Sequence, residues 1–182
     1  MLIDLSHTIA SGMMQVASLP AVEVCRVSAL AEGKPTNGQA LRISGHSGTH
    51  IDAPLHVFDE LASIETFPAD RFIGPGVALS VPKGPRDPVS AADLDAADWL
   101  LEHGVRLVAL DMLSPDVPPA RRAPDAQLVV HQRLLGNDVL IAENLTGLGQ
   151  LVGKRLQVYA LPIKVAEGDG APARICVEVV DS

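Results

Sequence analysis

Apolar residues recur along the chain in short runs, and their length and β-branched content predict strands rather than helices. LIDLS (2–6), VEVCRVSAL (22–30), ALRISG (40–45), VALSV (77–81), VRLVALD (105–111), VLIAENL (139–145), LQVYALP (156–162) and ICVEVV (175–180) are eight such runs. Some are too continuously apolar to alternate, which is the pattern of strands covered on both faces. Two stretches carry helix signals instead. SAADLDAADWLLEHG (90–104) offers Ser90 as an N-cap, Asp93 three residues on, and Gly104 as its end. PDAQLVVHQRLLGN (124–137) has Asp125 in its first turn and Gly136-Asn137 as its stop. Eight strands with few helices predict an α/β fold, a mixed, curved or barrel-like β-sheet with helices packed outside it. The loops at 31–39, 59–76 and 82–89 are rich in Gly, Pro and Asp and are the expected rims of a pocket.

Length and composition narrow the class. A chain of 182 residues is expected to form one domain over 1–182, burying roughly two-thirds or more of its unfolded surface. With 47% hydrophobic and 20% charged residues it has an ordinary globular composition. A formal charge of −8 argues against a nucleic-acid partner, because neutralising phosphates needs clustered Lys and Arg. No run of about 18 apolar residues exists, so no membrane span is expected. The start, MLIDLSHTIASGMM, lacks the basic residues and long apolar stretch of a secretory signal, which makes the cytoplasm the expected compartment. Cys25 and Cys176 lie in apolar strand-like runs without CxxC spacing, and are expected as buried free thiols. Aromatic residues make up only 3%, which limits base stacking and any aromatic clamp on a small ligand.

The chemistry concentrates in SGHSGTHIDAPLHVF (44–58), which holds His46, His50, Asp52 and His56, three of the six histidines in the chain. Histidines four apart share a helix face in some zinc sites. Gly45, Ser47, Gly48 and Thr49 make poor helix, however, and Pro54 follows at once. A strand end running into an irregular turn fits better. In it His50 and Asp52, two apart, point to the same side, and the glycines let the backbone bring His46 round. Imidazole nitrogen with carboxylate oxygen is a normal ligand set for Zn²⁺, and Mn²⁺ or Fe²⁺ is also accepted by it. Any one of these residues alone reads as a solvated turn residue; the block as a whole reads as a metal site.

A complete site needs a second segment. His131 sits among apolar neighbours on QLVVHQRLL, where a lone histidine is commonly a hydrogen-bonded boundary residue. Glu143 ends the apolar run DVLIA, where a carboxylate needs a partner charge or a metal to offset its desolvation. A salt bridge at the strand edge satisfies it equally. Taken together, His131 and Glu143 look like the distal half of a site whose near half is HxxxHxD.

The block HxGTHxDxPxH (46–56), then HQRLL (131–135) and ENL (143–145), resembles the metal-dependent cyclase family, which includes bacterial kynurenine formamidases and isatin hydrolases. Smaller echoes at DLSHTI (4–9), FIGPGVALS (72–80), ALDMLSPD (109–116) and LPIKVAEGDGAPAR (161–174) extend the likeness over nearly the whole chain. The resemblance implies that His46, His50 and Asp52 bind metal. Where two ions are held, it implies that Asp52 bridges and that His131 and Glu143 hold the second. His56 is implied to be the catalytic acid/base. The implied fold is a swivelling β/β/α arrangement, with a homodimer or larger assembly, and the implied cofactor is one or two divalent ions per chain, Zn first and Mn after it.

Such an ion, with one position open, lowers the pKa of water from 15.7 towards about 7 and polarises a carbonyl. Attack by the resulting hydroxide on an amide or lactone expels a leaving group that needs a proton, and His56 follows Asp52 closely enough to carry it. No GxSxG elbow supports a serine nucleophile. The implied activity is hydrolysis of a small amide, with arylformamidase first and an isatin-type cyclic amide hydrolase or lactonase second. A metal- or ligand-binding relative without catalysis is the alternative, and retention of His56 argues against it. The stretch SGMMQVASLPAV (11–22) lacks the aromatic residue and the PGD element expected near the N-terminus of the family, leaving substrate-binding residues unassigned. Met13 and Met14 there fit an apolar wall or the core equally.

Overall fold

The computed structural model describes residues 1–81, 91–117, 123 and 126–180, without the side chains of 91–94. The expected cap Ser90, the side chain of Asp93, Asp125 and the rim at 82–89 lie outside the described residues. The strands are β1 (Ile3–Asp4), β2 (Glu23–Ser28), β3 (Gly38–Arg42), β4 (His50–Asp52), β5 (Ile73–Val77), β6 (Leu107–Ala109), β7 (Leu140–Glu143), β8 (Arg155–Pro162) and β9 (Gly170–Val179). The helices are α1 (Ala91–Glu102) and α2 (Val129–Leu135).

Seven strands form one sheet in the order β5-β8-β9-β4-β7-β6, with β1 paired on β9. All pairs are antiparallel except β6 with β7. β9 serves two neighbours in succession, since Gly170–Pro172 pair with β4 and Ala173–Val179 with β8. The sheet curls into a half-barrel, and the fold is the mixed α/β class expected. β2 and β3 form a separate two-stranded ribbon.

Strand alternation divides the interior into two cores. Leu140 and Ala142 of β7 join Leu5, Ile51, Ile175 and Val177 in the larger one. Ile141, on the other face of β7, packs with Ala97 of α1 and with Val130, Leu134 and Leu135 of α2. Each fully buried Leu or Ile contributes about 1.5–3 kcal/mol, so this packing fixes α2 firmly against β7. Among the described residues no helix is long and apolar enough to cross a membrane.

Three expectations are corrected. The fifth strand is Ile73–Val77, not 77–81, and it runs through Gly74, Pro75 and Gly76. Pro75 lacks an N–H, which an edge strand tolerates, and among the described residues β5 stands at the end of the strand order beside β8. The second helix begins at Val129, five residues later than 124, because its first N–H groups find a carboxylate from another loop rather than a local cap. Finally, Cys25 is exposed and Cys176 half-buried, although both are free as expected. Cys25 lies on the β2–β3 ribbon, where Val27 and Leu41 are likewise exposed.

Candidate metal centre

The register of three adjacent strands builds the centre. His50 lies directly across from Glu143, and Asp52 across from Ile141, where β4 meets β7. Directly opposed residues of an antiparallel pair project to the same face. His50, Asp52 and Glu143 therefore share the face of β4 and β7 that α2 covers, while Ile51 points into the larger core. From α2, His131 reaches this face, with its Nε2 3.1 Å from Glu143 Oε1 and 3.6 Å from Asp52 Oδ2. His50 Nε2 lies 3.4 Å from both Asp52 Oδ1 and Glu143 Oε2.

On the other side of β4, Gly170 of β9 stands opposite Asp52. A Cβ at Gly170 would lie 2.8 Å from His46 Cε1 and 2.9 Å from the Ile51 carbonyl, so the glycine makes room for the His46 ring. The turn entering β4 needs Gly48 as well, whose φ of +65° disfavours a side chain. His46 arrives with Nδ1 2.8 Å from Asp52 Oδ1 and Nε2 2.8 Å from Asp169 Oδ2. His56, in a short 3₁₀ turn started by Pro54, sets its ring 4.2 Å from that of His46 and its Nδ1 3.1 Å from the same Asp169 oxygen.

The structure thus gathers all six residues singled out in the sequence, and nothing predicted for the site lies elsewhere. Two acidic residues were missed. Asp116 accepts from the N–H groups of Val130 and His131, which caps α2, and its Oδ2 also lies 2.6 Å from His131 Nδ1. Asp169 joins His46 to His56. Both lie inside the segments ALDMLSPD and EGDGAPAR whose likeness to the family was visible, but neither stands near a histidine in sequence.

Each histidine therefore presents one nitrogen inward and ties the other to an outer partner: Gly48 O for His50, Asp116 for His131, and Asp169 for His46. This is the usual arrangement of ligating imidazoles, whose second nitrogen is anchored. His50, Asp52, His131 and Glu143 are all buried. Burial disfavours the charged imidazoles, but the carboxylates outweigh it. His46 is pushed up to about 9 by Asp169 and Asp52, His50 to about 10 by Asp52 and Glu143, and His131 to about 11 by Asp116, Asp52 and Glu143. Burial raises the Asp52 carboxyl, and contacts from His131, His46 and His50 more than reverse this, holding it well below the usual carboxylate range. Asp169 is lowered by His46 first and His56 second.

Protonated histidines among buried carboxylates are cations doing what a metal ion does. Three inward atoms, His50 Nε2, Asp52 Oδ2 and Glu143 Oε1, are buried without a hydrogen-bond partner, because their ion-pair contacts are poorly aligned. Buried polar atoms left in this way are costly. Their donors lie close enough to share an ion in two overlapping sets, His46/His50/Asp52 and Asp52/His131/Glu143, with Asp52 common to both; His46, His56 and Asp169 form a third such set at the more exposed end. The mixed imidazole and carboxylate donors suit Zn²⁺ or Mn²⁺. The residues fit a divalent centre.

A mixed half-barrel carrying a buried His/Asp/Glu cluster at its middle strands defines the general class. The family model described as putative cyclase matches residues 3–97, and the chain belongs to that family. It is 30% identical to kynurenine formamidase of Salinibacter ruber over an alignment covering 74% of this chain and 76% of that protein. Kynurenine formamidase of Erythrobacter litoralis is 25% identical, with 94% and 90% covered. An isatin hydrolase bound to the product analogue thioisatinate shares the fold at a TM-score of 0.81 and 18% identity, covering 98% of this chain and 92% of that one. Isatin hydrolase A from Ralstonia solanacearum superposes with a TM-score of 0.77 at 18% identity, with 99% and 92% covered.

Proposed function

We propose that this protein is a metal-dependent hydrolase of small amides, and that its reaction is that of an arylformamidase, converting N-formylkynurenine to kynurenine and formate. The observation that carries this reading is the convergence of five metal-type donors with one further histidine, His56, which is more exposed than the other histidines of the cluster (side chain 25%). In this reading His46, His50 and Asp52 hold one divalent ion, and Asp52, His131 and Glu143 a second. Zinc is the expected metal, with manganese accepted. When bound, the ion lowers the pKa of a water and polarises the scissile carbonyl.

The remaining work belongs to the protein. The buried carboxylates of Asp52 and Glu143 hold the histidines of β4 and α2 at fixed spacing and exclude bulk water behind the reacting group. His56, the histidine closest to solvent in the cluster, takes a proton from the attacking water and delivers it to the leaving nitrogen. A second reading, hydrolysis of an isatin-type cyclic amide or a lactone, is kept because segment 11–22 has no aromatic residue, and Met13 with Ile9 lies over Gly48 instead.

The test is an assay of chelator-stripped protein reconstituted with Zn²⁺ or Mn²⁺, over N-formylkynurenine, isatin and simple lactones. Metal-dependent release of formate from N-formylkynurenine is expected. Turnover confined to isatin or lactones selects the second reading. Full activity without metal overturns both.

A further inference from the structure

Asp169 sits at the point where the metal-type donors meet the proton-carrying histidine, and although it lies within the segment EGDGAPAR, no histidine stands near it in sequence. It immediately precedes β9, and its backbone is fixed on both sides. The Asp169 carbonyl accepts from the Ala53 N–H at 2.9 Å, and Gly170, next along, is paired opposite Asp52. The side chain is thereby held above the end of β4. One oxygen, Oδ2, then meets two rings, His46 Nε2 at 2.8 Å and His56 Nδ1 at 3.1 Å. A carboxylate only accepts, so both of these nitrogens carry the hydrogen.

We propose that Asp169 is a positioning residue that fixes the tautomers of His46 and His56 together, leaving His46 Nδ1 to face the metal donors and His56 Nε2 as the nitrogen that handles protons. The proposal rests on the functional reading above only for the identity of the reaction. His46 Nδ1 lies 2.8 Å from Asp52 Oδ1, on the side of the cluster, where in the metal-free chain it too carries a hydrogen; with Nε2–H held by Asp169, Nδ1 is the nitrogen that gives up its hydrogen to an ion. With Nδ1 of His56 engaged, Nε2 is its one nitrogen without a tie to Asp169. A single carboxylate thus couples the outer metal ligand to the proton carrier. Loss of the carboxylate frees both rings at once. Because the Asp169 side chain is half exposed (49%), its replacement empties no core space and folding is expected to survive.

The test compares wild type, Asp169→Ala and Asp169→Asn, each loaded with Zn²⁺ alone. Three quantities are read: zinc affinity by chelator competition, histidine ring tautomers by ¹⁵N-resolved NMR, and kcat and KM. Asp169→Ala is expected to weaken zinc by about 10- to 100-fold and to lose the Nδ1–H form of His56. It is also expected to lower kcat by a similar factor with KM little changed. Asp169→Asn keeps an accepting oxygen and should recover much of the tautomer signal. An alanine variant with wild-type zinc affinity and wild-type His46 and His56 tautomers overturns the proposal. Wild-type protein that loads zinc but hydrolyses none of the amides or lactones overturns the hydrolase reading instead, and the zinc and NMR measurements still decide the part played by Asp169.

Discussion

The two ends of the candidate centre are built differently. At one end, Asp52, Glu143 and His131 come from two central strands and a packed helix, and all three are buried. At the other, His46, His56 and Asp169 come from a glycine turn, a 3₁₀ turn and the residue before β9, with the Asp169 side chain 49% exposed. Regular elements fix the first three to the precision of the core. The others lie on connections between the regular elements. A buried, rigid end suits holding an ion whose donors must not move, whereas an open, loop-borne end suits admitting substrate and moving protons. On the proposed reading the inner end serves ion binding alone, whereas the outer end joins the ligand His46 to the proton carrier His56.

Removing the shared inner carboxylate tests that division most severely. Asp52→Asn keeps the shape of the side chain but not its charge, and it weakens a donor shared by two of the three candidate sets at once. Loss of an anchoring partner behind a ligand already costs about 10- to 100-fold in metal affinity, and loss of the ligand itself is expected to cost more. Metal analysis after gel filtration should find the variant essentially metal-free and inactive. Native metal content in this variant would end the claim that the inner end does the binding.

His56→Ala probes the outer end with a smaller expected effect. Metal content should stay at the wild-type level while kcat falls by about 10²- to 10⁴-fold, the usual worth of a general acid–base group. If the variant instead loses metal, His56 is a ligand and the two ends are not functionally distinct.

The same contrast explains what could be read from the sequence. His46, His50, Asp52 and His56 were legible because one segment carries them all, and β4 follows from the strand-end reading of residues 50–52. His131 and Glu143 were legible only as a pair beside HxxxHxD, since each alone reads as a boundary histidine or an edge salt bridge, and the resemblance added their role toward a second ion. Asp116 and Asp169 were not legible. Each is an aspartate in a glycine- or proline-rich connection, where solvated acids are common, and only tertiary folding brings them onto histidines. The strand through Gly74, Pro75 and Gly76 failed for a related reason. Its residues signal a turn locally, and only its position on the sheet edge makes a strand of them.

The smallest expected effect concerns how metal-free protein responds to pH, and it separates charge from coordination. In the folded chain His46, His50 and His131 are raised to about 9, 10 and 11, so each prefers the folded state while protonated. That stabilisation is fully present below about 6.5, the unfolded value, and is lost as pH climbs through the folded values. Asp52 and Asp169 are shifted downward, so their contribution is present above about 4 and is lost on acidification. The two sets of shifts describe the same contacts from opposite sides, and together they put maximal stability of the metal-free chain between about pH 4 and 6.5. Calorimetry in chelator should show Tm falling from pH 6 to pH 9, on the order of 5 °C for a chain of this size. A bound divalent ion requires neutral imidazoles, so loading releases protons. The Tm of zinc-loaded protein should therefore stay flat or rise over the same interval, because protons compete less for the ligands as pH increases. A parallel fall in both forms would mean that the inner histidines remain protonated with metal present, and that the buried end is an ion-pair network rather than a binding site.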